Sequence, residues 1–599
     1  MKRIIIAAMA FSLGLSSCDD LLDLQPLSQI SQMDYFKTET DLQLFTNTFY
    51  NNLLDKAPYD DQSDIYVQQN LSDEMLGGTK RTVPASGGGW TWTDLRKMNT
   101  LLAYADQCPD KNSVVKYTAL TRFFRAYFYF EKVKRFGDVP WYDTELDSAD
   151  ESLYKPRDSR ELVMTHMMED VDYAIANLPS DKEEKSAPYR VTKWAAMALK
   201  AQFCLYEGTY RKYHQLNLEG HDYTYYLEQS AAAAQELMTK GPYKLYTTGH
   251  PESDYLMLFA EENADQDEMI LAMQFDRTVQ RKNNTTAFAT MSTQGAPGLT
   301  KKFVDSFLMK DGSRFTDRKG WETMQFIDEV ADRDPRLACL TRTPGYTRIG
   351  ATDVLAPDFG SSVTGFQLVK FVMDVTLPEV DRVDKSYNDL PIYRLGEIYL
   401  IYAEAKAELG TITQNDLDKS VNLLRKRVGM PDMVLADALA SPDPYLLSDE
   451  YGYLNPVLRN ASNVGILLEI RRERSIELAQ EGKRWDDLMR WKEGKCIDQK
   501  MYGQYFPGPG KYDLTGDGKP DVWLYEGAKP SDKTMQLLKI GDKTGVILSE
   551  GSYGYVDNQK GIDHIFNEER DYLYPIPIEE RQLNPNLTQN PGWNDGLKY

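Results

Sequence analysis

Apolar residues recur at helical spacing along most of this chain, and strand-like alternation is rare before about Tyr502. One stripe runs through Leu120, Phe123, Phe124, Tyr127, Phe130 and Val133, and a second through Val191, Trp194, Met197, Ala198, Ala201 and Leu205. A third runs through Ile392, Leu395, Ile398, Tyr399 and Tyr402. Stripes of this width mark helix faces that pack against other helices, so the pattern predicts a mainly α fold. Two stripes also carry an internal order of large, large, small and aromatic residues, as in the first helix of a tetratricopeptide repeat. Trp194-x2-Met197-Ala198 and Ile392-x2-Leu395-Gly396-x2-Tyr399 follow it, with Ala231 to Met238 and Leu417 to Val428 as second helices. Long loops such as Tyr210 to Tyr223 break the strict period, and loops of that kind are where function collects.

Between the stripes, Val83 to Asp94 and Ala287 to Gly298 are rich in Gly, Pro, Ser and Thr and read as ordered loops. From Tyr502 to Tyr555, Gly, Pro, Asp and Tyr dominate, which predicts irregular structure with short strands. Prolines in Tyr574-Pro575-Ile576-Pro577 and Asn584-Pro585-Asn586 dictate an extended path across a surface.

The start of the chain has a different pattern. Lys2 and Arg3 precede an apolar run from Ile4 to Leu15, and Leu15-Ser16-Ser17-Cys18 follows. The run is too short to span a bilayer, and a small residue before cysteine suits cleavage and diacylation of that thiol. Residues 1–17 therefore read as a lipoprotein signal, with a cleaved signal lacking lipid as the alternative. Beyond Cys18 no apolar stretch approaches the roughly 20 residues of a spanning helix, and mean hydropathy is −0.53. The expected membrane contact is the lipid alone.

About 580 residues then remain, beyond the usual size of one core, so they form either several domains or one elongated scaffold of stacked helices. The 91 acidic residues against 69 basic ones give a formal charge of −22, which repels phosphate backbones and argues against nucleic acid as a partner. Cys108, Cys204, Cys339 and Cys496 lack metal or disulfide spacing and read as buried thiols. With 38 Tyr and 9 Trp there are more aromatic residues than a core needs, so some are expected to line a surface.

Several segments together resemble the SusD/RagB-like nutrient-uptake lipoproteins of the Bacteroidetes. The resemblance begins at Cys18-Asp19-Asp20-Leu21-Leu22-Asp23. It continues through Arg125-Ala126-Tyr127-x-Tyr129-Phe130, Phe136-Gly137-Asp138-Val139-Pro140 and Arg333-Asp334-Pro335-Arg336-Leu337. Arg394 to Ala405, Arg471 to Arg474, Glu477 to Leu488 and the closing Tyr574-Pro575-Ile576-Pro577 complete it. It implies a single SusD-like domain over 18–599, a helical scaffold with four tetratricopeptide-like helix pairs, long loops and short strands. Its parts would be an N-terminal region (18–240), a loop-rich ligand-side region (241–390) and a C-terminal region (391–599). It further implies a place on the outer membrane, capture of oligosaccharides without catalysis, and a SusC-like TonB-dependent transporter as partner. One branch of the family handles peptides instead.

Ligand candidates come from loop context. Trp90 and Trp92 follow Gly87-Gly88-Gly89 and precede Arg96 and Asn99. Sugar rings lie on indole faces while amides and guanidinium groups serve their hydroxyls, and glycines would let the loop carry those indoles outward. The alternative is that either tryptophan packs the loop onto the scaffold. Arg81, Trp321 and Tyr346 are further nominations.

Asp513, Thr515, Asp517 and Asp521 with Gly518 have the spacing of a calcium loop, Lys519 adding its carbonyl, but Leu524 stands where an EF-hand has Glu. A structural calcium site completed by distant carboxylates and a plain Asp/Gly turn are both open. The charges of Glu469 to Arg490 read as a structural network, with Glu473, Glu477 and Glu481 on one helix side and Arg474 and Arg484 as partners. No HExxH, GxSxG, Walker loop or GxGxxG occurs. The paired acids of a glycoside hydrolase need no fixed spacing and remain an alternative.

Overall fold

A computed structural model describes residues 35–54, 56–60, 62–180 and 187–599. The signal and Cys18 lie outside the described residues. The long helices are α1 (Glu39–Leu53), α2 (Thr93–Tyr104), α3 (Lys111–Phe136), α4 (Arg160–Asn177), α5 (Lys193–His214) and α6 (Tyr223–Lys240). After them come α7 (Leu395–Glu408), α8 (Val421–Arg427), α9 (Val464–Glu477), α10 (Arg484–Arg490) and α11 (Ile578–Leu583).

Side chains at the helix starts accept the otherwise unpaired first amides. Thr38 and Asp41 form a reciprocal capping box on α1, while Asp110, Ser159 and Asp222 cap α3, α4 and α6. Successive helices α2 to α7 each pack on the next along the chain, α1 adds to α3, and α7 packs on α9. The predicted stripes face inward, since Phe123, Phe124, Ala198, Ala201 and Ile398 are fully buried. Gly208 makes the α5–α6 approach possible, because a Cβ there would come within 2.7 Å of the Leu227 side chain.

The third stripe is cut short by the sheet. Ile392 lies on a strand and the helix begins at Leu395. Its expected second helix, Leu417 to Val428, is broken at Ser420 into a short turn (Gln414–Asp418) and α8. The strongest packing of α7 is on α6 and α9.

The strands are short: β1 (Tyr66–Val67), β2 (Met269–Met273), β3 (Gly298–Leu299), β4 (Leu390–Arg394), β5 (Tyr505–Phe506), β6 (Gly510–Tyr512), β7 (Val522–Tyr525), β8 (Gln536–Lys539) and β9 (Gly554–Tyr555). They pair as β1–β3, β2–β4, β5–β9 and β6–β7–β8. One apolar cluster fills the helical stack, and a second lies among the strands and the 255–373 segment. The stretch expected to be a loop at Ala287 to Gly298 instead continues a helix over Thr285–Thr290 and ends in β3. The C-terminal prolines hold residues 574–577 extended, as expected, and α11 follows them.

Helix α9 is buried from Gly465 to Glu477 despite its charges. Glu473 accepts from Arg425 (2.6 Å) and Arg336 (3.0 Å). Glu477 pairs with Arg394 (2.8 Å), Arg336 (3.3 Å) and Arg427. Glu481 pairs with Lys370 and Arg394, both at 2.7 Å. The network is structural, but its partners differ from those expected from sequence. The helix stops at Glu477, and Glu481 sits in the following turn. Arg474 and Arg484 turn to Asp487 (2.8 Å) and Asp64 (2.7 Å). Arginines from segments far apart in the chain thus converge on one helix, because a buried carboxylate must be matched by charge.

Candidate functional site

The Gly87-Gly88-Gly89 loop folds back onto the scaffold. All three glycines have positive φ (74°, 56° and 88°); the Gly87 carbonyl accepts from the Trp90 amide within the loop (2.9 Å), and those of Gly88 and Gly89 face α3. There Lys132 Nζ donates to the Gly89 carbonyl (2.5 Å) and Arg135 Nε to that of Gly88 (2.7 Å). Trp90 is consequently core, 4% exposed, with edge contacts to Phe136 (4.9 Å) and Trp92 (5.3 Å). Asn99 is buried and donates to the carbonyls of Tyr142 and Thr144 while accepting from Arg125. Arg81 is buried against Asp571 (3.4 Å) and lies over the rings of Tyr574 and Trp593.

All three are tied into the chain itself, and Trp90 and Asn99 also line a cleft together with Trp92 and Arg96, so the structure brings four of the nominated residues to one place, while Arg81 lies outside it. Trp92 is half-buried among Phe128, Tyr129 and Tyr142, and Arg96 is exposed. The cleft has a volume of about 440 Å³, and its other walls include Leu146, Leu153, Leu583 and Leu587. Tyr346 is half-buried beside Arg342 and lines neither this cleft nor the one described next.

A second aromatic surface forms around Trp321. The β5–β9 ladder places Tyr505 opposite Tyr555, and Tyr502 stacks on Tyr555 with centroids 4.8 Å apart and planes 19° apart. The Tyr555 hydroxyl donates to the Glu322 carbonyl (2.9 Å), which ties these rings to the single helical turn Trp321–Thr323. Trp321 packs edge-on against Tyr445 at 5.2 Å. Lys301 Nζ lies 5.8 Å from the centroids of both Trp321 and Tyr555, within cation–π reach. Trp321, Tyr502, Tyr505 and Tyr555 are all half-buried, and Tyr553 is exposed beside them. Exposed Glu450 and Lys500 and half-buried Gln499 rim a cleft of about 170 Å³ floored by Lys301 and Lys302.

Sequence reasoning nominated Trp321 and missed Tyr502, Tyr505 and Tyr555. The available signal was the Tyr/Gly alternation of Tyr502-Gly-Gln-Tyr505 and Tyr553-Gly-Tyr555.

Beneath this shelf Lys301 is held by Asp305 (2.9 Å) and Glu329 (2.6 Å). Burial pushes the Asp305 carboxyl up to about 7; Lys301 opposes that rise and the Glu329 charge adds to it. Among the described residues Asp305 Oδ2 and Glu329 Oε2 have no hydrogen-bond partner. Burial also pushes the Tyr555 phenol up to about 12, so its hydroxyl remains a donor. Both carboxylates are inaccessible, so neither reaches a ligand on the shelf.

In the 513–521 loop, Asp513 accepts from the amides of Thr515, Gly516 and Gly518. Asp521 accepts from the amides of Leu514 and Thr515, and Asp517 from that of Lys519. These are the bonds of an Asp/Gly turn. Among the described residues no three His, Cys, Asp or Glu side chains gather as a metal site. The four free cysteines are buried, as expected.

A family model described as "SusD family" matches residues 267–593, and one described as "Starch-binding associating with outer membrane" matches residues 27–205. The SusD-like proteins P38 and P2 of Formosa agariphila are 22% and 23% identical to the chain, over 80% and 83% of it and 89% and 92% of their own lengths. A SusD-like protein structure from Bacteroides fragilis superposes with a TM-score of 0.66 at 21% identity, covering 93% of this chain and 98% of that one. A SusD-like carbohydrate-binding protein from the same species also gives 0.66, at 20% identity and 92% and 100% coverage. A laminarin-binding SusD-like protein gives 0.51 at 18% identity, with 93% and 100% coverage.

Proposed function

Because the chain belongs to the SusD family, whose model matches more than half of it, we propose that it captures oligosaccharides at an outer membrane and passes them, unmodified, to a SusC-like TonB-dependent transporter. The shelf of Trp321, Tyr502, Tyr505 and Tyr555 carries this reading. A sugar ring has two apolar C–H faces edged by hydroxyls, so the half-exposed outer faces and edges of these rings offer it an apolar contact. Glu450, Gln499 and Lys500 at the rim supply the acceptors and donors that fix its orientation. Carbohydrate is also the ligand class in the family description, and two similar structures are of a carbohydrate-binding and a laminarin-binding SusD-like protein.

No described helix is long and apolar enough to cross a membrane, so import calls for another protein. Cys18 is the proposed lipid anchor, and labelling by a clickable fatty acid that persists in Cys18→Ala would remove it. The burial of Asp305 and Glu329 argues against their use as a hydrolase pair. Affinity electrophoresis in gels containing starch or laminarin tests the binding reading. Retardation of the wild type and its loss in Trp321→Ala and Tyr555→Ala are expected. Free migration in every polysaccharide together with binding of oligopeptides would transfer the protein to the peptide branch, and release of reducing sugar would make it an enzyme. Mild detergent extraction of the tagged chain is expected to recover a large TonB-dependent barrel.

A further inference from the structure

Another cleft, of about 360 Å³, lies on the far side of the Gly89–Leu95 segment from Trp92's cleft, along α3. Its charges fall into two groups. Lys56, Glu131, Lys134 and Asp486 form a linear chain of ion pairs at 2.9, 2.8 and 2.6 Å and sum to zero. Asp94 is engaged by Lys97 and Asn52. Lys132 and Arg135 are left over.

Among the described residues no carboxylate lies within ion-pair distance of either. Lys132 meets one backbone carbonyl and the faces of Trp92 (5.3 Å) and Phe128 (4.8 Å). Arg135 meets one carbonyl through Nε, lies 3.6 Å from the Tyr574 centroid, and among the described residues has no acceptor at either terminal amino group. Burial and the neighbouring Arg135 charge hold the Lys132 ammonium down to about 8, as expected of a cation awaiting a counter-ion. Lys132 and Arg135 stand one helical turn apart on α3, and two neighbouring cations favour an anion placed between them. The cleft's remaining walls include the buried rings of Tyr127, Tyr206 and Tyr572 and the half-buried indole of Trp485, which is the one with surface left for a sugar ring.

We infer that this cleft is a saccharide subsite selective for an acidic sugar residue, whose carboxylate or sulfate ester sits between Lys132 and Arg135. The inference rests on the carbohydrate reading above and adds the charge class of the ligand. A planar guanidinium with two free amino groups matches two oxygens of either anion, and Lys132 supplies the second charge.

The test begins with the unaltered protein. Lys132 acetylation by an acyl ester is followed by peptide mass spectrometry in the presence of glucuronate, glucose 6-sulfate, glucose or inorganic sulfate at matched ionic strength. Both acidic sugars are expected to slow acetylation about tenfold, with glucose without effect. Protection by inorganic sulfate equal to that by either sugar would mean a bare anion site and overturn the inference, as would no protection by any ligand. Calorimetric titration with glucuronate then compares the wild type with Arg135→Gln, expected about tenfold weaker, and reads Trp321→Ala beside them. If Trp321→Ala abolishes glucuronate binding while Arg135→Gln does not, the acid binds on the aromatic shelf. The inference is then wrong and the carbohydrate reading stands. Failure of neutral and acidic saccharides alike would remove both.

Discussion

Trp90→Ala separates a structural tryptophan from a ligand-binding one. Only 4% of Trp90 is exposed, so nearly all of its side chain is removed from water on folding. At ~200 Å² of buried aromatic surface and ~25 cal/mol per Å², the transfer contribution is about 5 kcal/mol, an upper figure because the unfolded chain already buries some of that area. Edge contacts to Phe136 and Trp92 disappear with the ring. Trp90 also borders the 440 Å³ cleft, so water and the neighbouring leucines can enter the vacated space, which lowers the penalty for an empty cavity.

The expected destabilisation is therefore about 3 to 4 kcal/mol, toward the lower end of large-to-small changes at buried aromatics. Guanidinium unfolding followed by circular dichroism measures it, alongside affinity electrophoresis of the still-folded variant in laminarin or starch. Retardation is expected to equal that of the wild type. A variant that unfolds at the wild-type midpoint yet migrates freely in the polysaccharide would place Trp90 in the ligand site and refute the argument from burial.

Glu477→Ala is expected to destabilise the fold by about 3 to 5 kcal/mol, because Arg336, Arg394 and Arg427 would lose their shared carboxylate inside the protein; an unfolding midpoint unchanged from the wild type would contradict this. Asp305 has a folded pKa raised to about 7 against an unfolded value near 3.9, so its contribution is full below about pH 4 and is lost as pH rises to about 7. Relative to Asp305→Asn, the wild type is expected to lose stability on the order of 4 kcal/mol across that window, and parallel pH profiles would count against it. With the 513–521 carboxylates already accepting from loop amides, millimolar calcium is expected to leave Tm unchanged. A rise over chelator that Asp517→Ala abolishes would establish the calcium site.

The helical stack was legible in the sequence because its signal is local: a 3.6-residue period of apolar residues specifies a buried face whatever that face later meets. The structural character of the Glu469 to Arg490 charges was legible for a similar reason, since so many charges among apolar positions have to be paired. Which arginines would pair them was not, because Arg336, Arg394 and Arg427 reach α9 only through the packing of separate segments. Trp90 after three glycines reads the same whether the loop projects or folds back. The outcome was decided by Lys132 and Arg135, more than 40 residues on, which take the loop carbonyls onto α3. The aromatic shelf likewise exists only in three dimensions. Tyr502 and Tyr555 are ordinary loop tyrosines until the two-residue β5–β9 ladder sets one ring on the other beside Trp321. Periodicity is a property of neighbours in sequence, whereas a binding face is made by side chains whose proximity depends on every contact between them.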